Sequence, residues 1–136
     1  MRRRSRARAR GLQVLYAWEA QGAPDDVGPI LRDLGGDDPF VGELVEAAIT
    51  HHGEIDERLA DAMPNWRVER LSAVDRNILR LAVAEILFLE TPGPVAIQEA
   101  IQLAERFGTD DSPRFVNGVL DAVWKRPPVD GAGPRE

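Results

Sequence analysis

The chain contains no cysteine. Disulfides and thiolate metal sites are therefore excluded, and the composition suits a reducing cytoplasm. Histidine is nearly as scarce: His51 and His52 are the only two, and they are adjacent. Adjacent residues of a helix point about 100° apart, so this pair cannot grip one metal as an i, i+4 pair does. The sequence has no phosphate-cradling glycine loop and no nucleophile elbow. Its carboxylates at Glu43, Glu46, Glu54, Asp56, Glu57 and Asp61 read as the wet face of a helix rather than an acid–base pair. Long apolar runs are also missing. The most apolar stretch, Asn77 to Glu90, is interrupted by Arg80 and Glu85 and falls short of the roughly 20 residues a membrane crossing needs. Gln13, Glu19 and Gln21 break up any signal-peptide core behind the basic N-terminus. No run alternates in the manner of a strand, and no hairpin turn joins two such runs. These absences predict a cytoplasmic all-α protein with no catalytic residues, no metal and no cofactor.

What remains is helical pattern and unevenly placed charge. With 136 residues, of which 43% are hydrophobic and 29% charged, one domain can bury roughly two-thirds of its unfolded surface and fold unaided. The net charge is −6. Residues 2–10 nevertheless hold six arginines (Arg2, Arg3, Arg4, Arg6, Arg8, Arg10) and no acid, so the remainder carries 11 basic against 23 acidic side chains. A basic arm on an acidic body points to an anionic partner. Self-repulsion predicts that the free arm is frayed. Arginine suits phosphate because its planar fork bonds two oxygens at once, and arginine-rich segments that order on RNA are a common recognition device.

The apolar spacing predicts a first helix from about Arg4 to Gln21, stopped by Gly22, and a short one through Val27, Ile30, Leu31 and Leu34. A long third helix follows from the Asp38-Pro39 cap to about Met63, where Pro64 breaks it. Pro64-Asn65-Trp66 reads as a joint between an N-terminal subdomain, 1–63, and a C-terminal one, 64–125. Beyond it a short helical turn fits Arg67 to Arg70, and the Ser72–Asp75 capping box opens the next helix, which buries Val74, Ile78, Leu81, Ala82, Ile86 and Leu89. Helices from Pro94 to Phe107 and from the Asp111-Ser112-Pro113 cap onward complete two small packed bundles of about three and three to four helices. Residues 127–136, rich in proline and glycine, predict a disordered tail. Tyr16 and Phe115 could each stack on an unpaired base or sit in the core. Trp18, Trp66 and Trp124 read as packing residues.

Four segments in order carry a resemblance. Leu12-Gln-Val-Leu-Tyr16-Ala-Trp18 behind the arginine run, Val74-Asp-Arg-Asn-Ile-Leu-Arg80-Leu-Ala with Glu85, Pro94-Val-Ala-Ile-Gln-Glu-Ala100, and Ala104-Glu-Arg-Phe-Gly108 with Phe115-Val-Asn-Gly-Val-Leu-Asp121 resemble the NusB transcription antitermination family. The resemblance spans residues 2 to about 125. It implies an RNA-binding factor that pairs with NusE, a small-subunit ribosomal protein. The pair binds boxA of nascent RNA and helps RNA polymerase, with other Nus factors, resist termination, notably in ribosomal RNA operons. It also implies roles: Arg3, Arg4, Arg6, Arg8 and Arg10 in the RNA-binding arm; Tyr16 beside RNA and NusE; Asp75 and Arg80 on the partner-facing helix; Asp111, Arg114, Phe115 and Asn117 at the helix start beside RNA. Asn117-Gly118 has a packing reading too, in which Gly118 permits close helix approach, and Asp111 one as an N-cap. Gln98 stands where the family often has Asn, and Ala84 where an aromatic often precedes the Glu. A NusB-like domain also occurs at the N-terminus of RNA cytosine methyltransferases, which need a cysteine nucleophile. A protein-only helical adapter is the remaining alternative. The resemblance leaves a homodimer open, because members occur both ways.

Overall fold

The computed structural model describes residues 2–126. Seven α-helices and one 3-10 turn make up its regular structure, and no strand occurs among the described residues. The helices are α1 (Arg3–Ala20), α2 (Gly28–Leu34), α3 (Pro39–Thr50), α4 (His52–Ala62), α5 (Ala73–Phe88), α6 (Gly93–Phe107) and α7 (Ser112–Lys125); the 3-10 turn is Val68–Arg70. The all-α class and most boundaries follow the apolar spacing. Gly22 ends α1 with φ +87°, a backbone conformation that glycine adopts without strain. Asp38 caps α3 by accepting from the Phe40 N–H, and Ser72 caps α5 by accepting from the Asp75 N–H.

One expected helix is two. The segment from Pro39 to Ala62 breaks at His51, whose φ of −108° and ψ of 22° leave the helix. The break is held by side chains. The His51 ring stacks on Phe88, 3.7 Å between centroids, and the His52 Nδ1 lies 2.9 Å from the Ile49 carbonyl oxygen. Thr50, His51, His52 and Gly53 are all modest or poor helix formers, so little is lost by interrupting the run there.

The α5 helix is the hub. It packs on α1, α3 and α4 from the first half and on α6 and α7 from the second, around one continuous apolar core. Ile78, Leu79, Val83 and Ala84 on α5 are fully buried, facing Leu15, Leu44, Val45, Ile55, Leu59 and Leu120 from other helices in that core. Ala84 thus holds a core position and no surface one. Ile86, expected inside, is only half-buried and lies outside the core. Gly93 allows the closest approach in the second half: a Cβ there would collide with the indole of Trp124. The predicted tail at 127–136 lies outside the described residues.

Candidate nucleic-acid interface

The arginine segment is helical from Arg3 onward, so the expectation of a frayed arm is corrected. Intramolecular partners offset the repulsion that argued for fraying. Arg3 makes a bidentate pair with Asp38, both distances 3.0 Å, and Arg4 lies over the Phe40 ring at 4.1 Å. Arg10 donates to the Leu34 carbonyl at 3.4 Å. Asp38 titrates below the ordinary aspartate value, chiefly because it accepts the Phe40 N–H and secondly because it accepts from Arg3.

Arg8 is a different kind of residue from its neighbours. It is only 5% exposed and bonds Glu85 through Nε at 2.7 Å and Nη2 at 2.8 Å. Thr91 donates to the same carboxylate at 2.9 Å, and Glu99 stands 3.6 Å from the guanidinium. Burial alone would lower the Arg8 pKa, but the bond and charge of Glu85 outweigh it and the net direction is upward. The candidate RNA role for Arg8 is therefore corrected: its guanidinium is committed inside the fold. Arg2, Arg3, Arg4, Arg6 and Arg10 remain exposed along the helix start.

Tyr16 is 47% exposed on the outer side of α1, which removes the core reading for its ring. Phe115 on α7 is half-buried, and its exposed neighbour is Trp66, 5.7 Å away with the rings edge to face. Trp66 itself is 59% exposed, so it is not the packing residue expected; Trp124 is 45% exposed yet packs its indole on Gly93, and Trp18 is buried and donates to the Pro24 carbonyl. Apolar residues need not be inside, and nothing in the local pattern separates a core tryptophan from one on a rim. The missed signal for Trp66 was its place in a proline-broken joint, where no helix face can bury it.

Trp66 and Phe115 line an open groove of about 490 Å³ with Met63, Asp111, Arg114 and Gly118. The structure thus brings Asp111, Arg114 and Phe115 together, while Asn117 stands exposed one residue before the groove's Gly118. Asp111 occupies the N-cap position of α7, and its backbone carbonyl accepts the Phe115 N–H at 3.1 Å, but its side chain makes no capping bond. The side-chain cap reading of Asp111 is therefore corrected; the Ser112 hydroxyl accepts the Thr109 N–H of the preceding turn at 3.0 Å. The close-approach reading of Gly118 falls as well, since a Cβ there would meet nothing within 4 Å.

Asp75 and Arg80 also differ from a simple exposed pair. Arg80 donates to both oxygens of Asp56 at 2.9 Å and to Glu19 at 2.9 Å, so the expected partner-facing guanidinium is bound within the chain. Glu19 further accepts two bonds from Arg76 at 2.8 Å and one from Asn77 at 3.1 Å. Burial alone would raise the Glu19 pKa, but the bonds from Arg76, Arg80 and Asn77 outweigh it and bring it down to about 2. Asp75 is half-buried with one carboxylate oxygen enclosed and unbonded. Its side chain is the more available of the two.

Among the described residues no cluster of histidines, cysteines and carboxylates is arranged to hold a metal, and no helix is long and apolar enough to cross a membrane. Fold and surface define a class: a small all-helical protein with one strongly basic helix on an acidic body, and with aromatic rings exposed on two faces. Within that class the chain belongs to the NusB family, whose family model matches residues 5–125. It is 45% identical over 141 residues to the transcription antitermination protein NusB of Solibacter usitatus, covering 98% of this chain and 97% of that one. The NusB of Desulfitobacterium hafniense is 42% identical over 125 residues, with 86% and 84% covered. Among solved structures, Thermotoga maritima NusB superposes with a TM-score of 0.80 at 35% identity, covering 91% and 92%. A structure of the antitermination factors NusB and NusE in complex with double-stranded RNA gives a TM-score of 0.77 at 30% identity, covering 91% and 98%.

Proposed function

We propose that this protein is an RNA-binding transcription antitermination factor that works in the bacterial cytoplasm as a heterodimer with the ribosomal protein NusE. The pair binds boxA of nascent RNA and helps the polymerase elongation complex, with other Nus factors, resist termination in ribosomal RNA operons. The observation that carries the reading is the basic face of α1, with Arg2, Arg3, Arg4, Arg6 and Arg10 exposed on a body of opposite sign. Membership of the NusB family and the solved complex of NusB and NusE with RNA support it. Phosphates are drawn to the arm, bases stack on Tyr16 and at Phe115, and Arg114 and Asn117 offer polar contacts beside them. Asp75 meets the basic partner, while Arg80 holds that face in shape by pairing with Asp56 and Glu19. The role asks for no catalytic residue and no cofactor.

The test is fluorescence anisotropy with a boxA RNA and a scrambled RNA, with and without NusE, across a salt series. Tighter boxA binding with NusE, abolished by scrambling, is the expected result. Equal binding of both RNAs under all conditions would reduce the protein to a helical adapter with a basic face.

A further inference from the structure

The proposed RNA contacts lie on the arginine segment at the start of α1, at Tyr16 farther along that helix, and at Phe115 on α7. A groove borders the first of these, between α1 and α6. Arg8 meets Glu85 while Glu19 meets Arg76, so α1 and α5 run antiparallel. The α6 helix returns after the Thr91-Pro92 turn, packs along α5, and brings Glu99 to Ser5 and Arg8.

Between the two helices lie two open grooves of about 550 Å³ each, which share Arg2, Ser5, Val95 and Glu99 and so join into one channel. Its chemistry is selective. Arg2 supplies an exposed cation. Glu99, which would repel phosphate, accepts both contacts of the Ser5 hydroxyl, at 2.9 and 3.1 Å, and stands beside the Arg8 charge. Gln98 and Gln102 line the α6 side, both exposed, with no bond to any described residue. Four residues apart, they stand one above the other, separated by about 6 Å of helix rise. That is the scale of one sugar–phosphate repeat. No aromatic ring lines either groove, so the channel has no platform for a base.

We propose that this channel carries the ribose–phosphate chain of the bound RNA, with the carboxamides of Gln98 and Gln102 bonding ribose 2′-hydroxyls. A phosphate oxygen only accepts and would leave the amide oxygen idle. A 2′-hydroxyl both donates and accepts, which matches a carboxamide, and it is the group that distinguishes RNA from DNA. The assignment rests on the RNA-binding reading and adds to it a device for sugar discrimination.

The experiment compares a fluorescein-labelled boxA RNA with the DNA of the same sequence, using the full chain and its Gln98→Ala/Gln102→Ala variant. The wild type should favour RNA. The variant should bind RNA about tenfold or more weakly, given the removal of two bonds of ordinary net strength, and change little on DNA. Its salt slope should stay that of the wild type, since every phosphate contact is kept, whereas Arg2→Gln should flatten the slope. Both glutamines are exposed and unbonded, so thermal melting should not move; Gln98→Met/Gln102→Met keeps the side-chain stems and repeats the test. Equal weakening on RNA and DNA, an altered slope, or unchanged RNA affinity would overturn the ribose assignment while leaving RNA binding intact. A wild type that binds neither nucleic acid would overturn the RNA reading itself.

Discussion

At the scale of single residues, the arginines of α1 do two unlike jobs. Arg8 is buried and bidentate to Glu85, so removing its side chain strands a carboxylate in the core. Arg8→Ala should cost about 3–5 kcal/mol of stability in chemical denaturation, whereas replacing both partners by Arg8→Met and Glu85→Leu should recover most of that loss. If Arg8→Ala instead leaves stability unchanged and only weakens RNA binding, the internal role is wrong. Glu19 gives a pH signature. Its carboxyl sits at about 2 when folded, against an ordinary 4.5. A depressed folded pKa adds stability above the unfolded value, and that stability is lost as the pH falls through the folded one. Wild-type melting temperature should therefore drop between about pH 4.5 and 2. Glu19→Gln, less stable at neutral pH, should show a shallower fall over that window.

At the scale of elements, α1 is both the basic face and a structural helix. Truncating residues 1–10 would remove most of its first half, including Arg8 and the buried Ala7 and Ala9. Such a variant confounds affinity with folding. Neutralising Arg2 and Arg10 to Gln should instead keep folding stability within about 1 kcal/mol of the wild type. It should reduce the slope of log affinity against log salt by about 0.7 for each phosphate of single-stranded RNA that is no longer neutralised. An unchanged slope would remove these side chains from the interface. Element scale is also where the sequence was most and least readable. The spacing of apolar residues and the stops at Gly22 and Pro64 located the helices, because burial on one stripe is a local pattern. The break at His51 was hidden because it depends on Phe88, 37 positions away. The same reason hid the burial of Arg8: an arginine in a run of arginines carries no local mark of its distant Glu85. Arg80 was bound in the same way by Asp56 and Glu19, and Trp66 was exposed because a joint, not a helix face, presents it.

At the scale of the whole molecule, charge distribution links RNA and partner binding. The body outside residues 2–10 has 11 basic and 23 acidic side chains, so it repels a polyanion that the α1 face attracts. A basic partner docked at Asp75 on this acidic body cancels part of that repulsion before any direct contact between partner and RNA is counted. Exposed charges act over about 10 Å at 0.1 M salt and farther as salt is lowered. The ratio of boxA affinity with NusE to that without it should consequently grow as ionic strength falls. Asp75→Asn should weaken NusE binding by about tenfold or more, in line with removal of one charge-assisted bond, and leave the chain's own RNA affinity nearly unchanged. Anisotropy titrations of RNA at several salt concentrations, at zero and saturating NusE, measure both quantities. A ratio independent of salt would mean that NusE acts through its own short-range contacts with RNA, and that the acidity of this body is a docking surface with no part in the cooperativity.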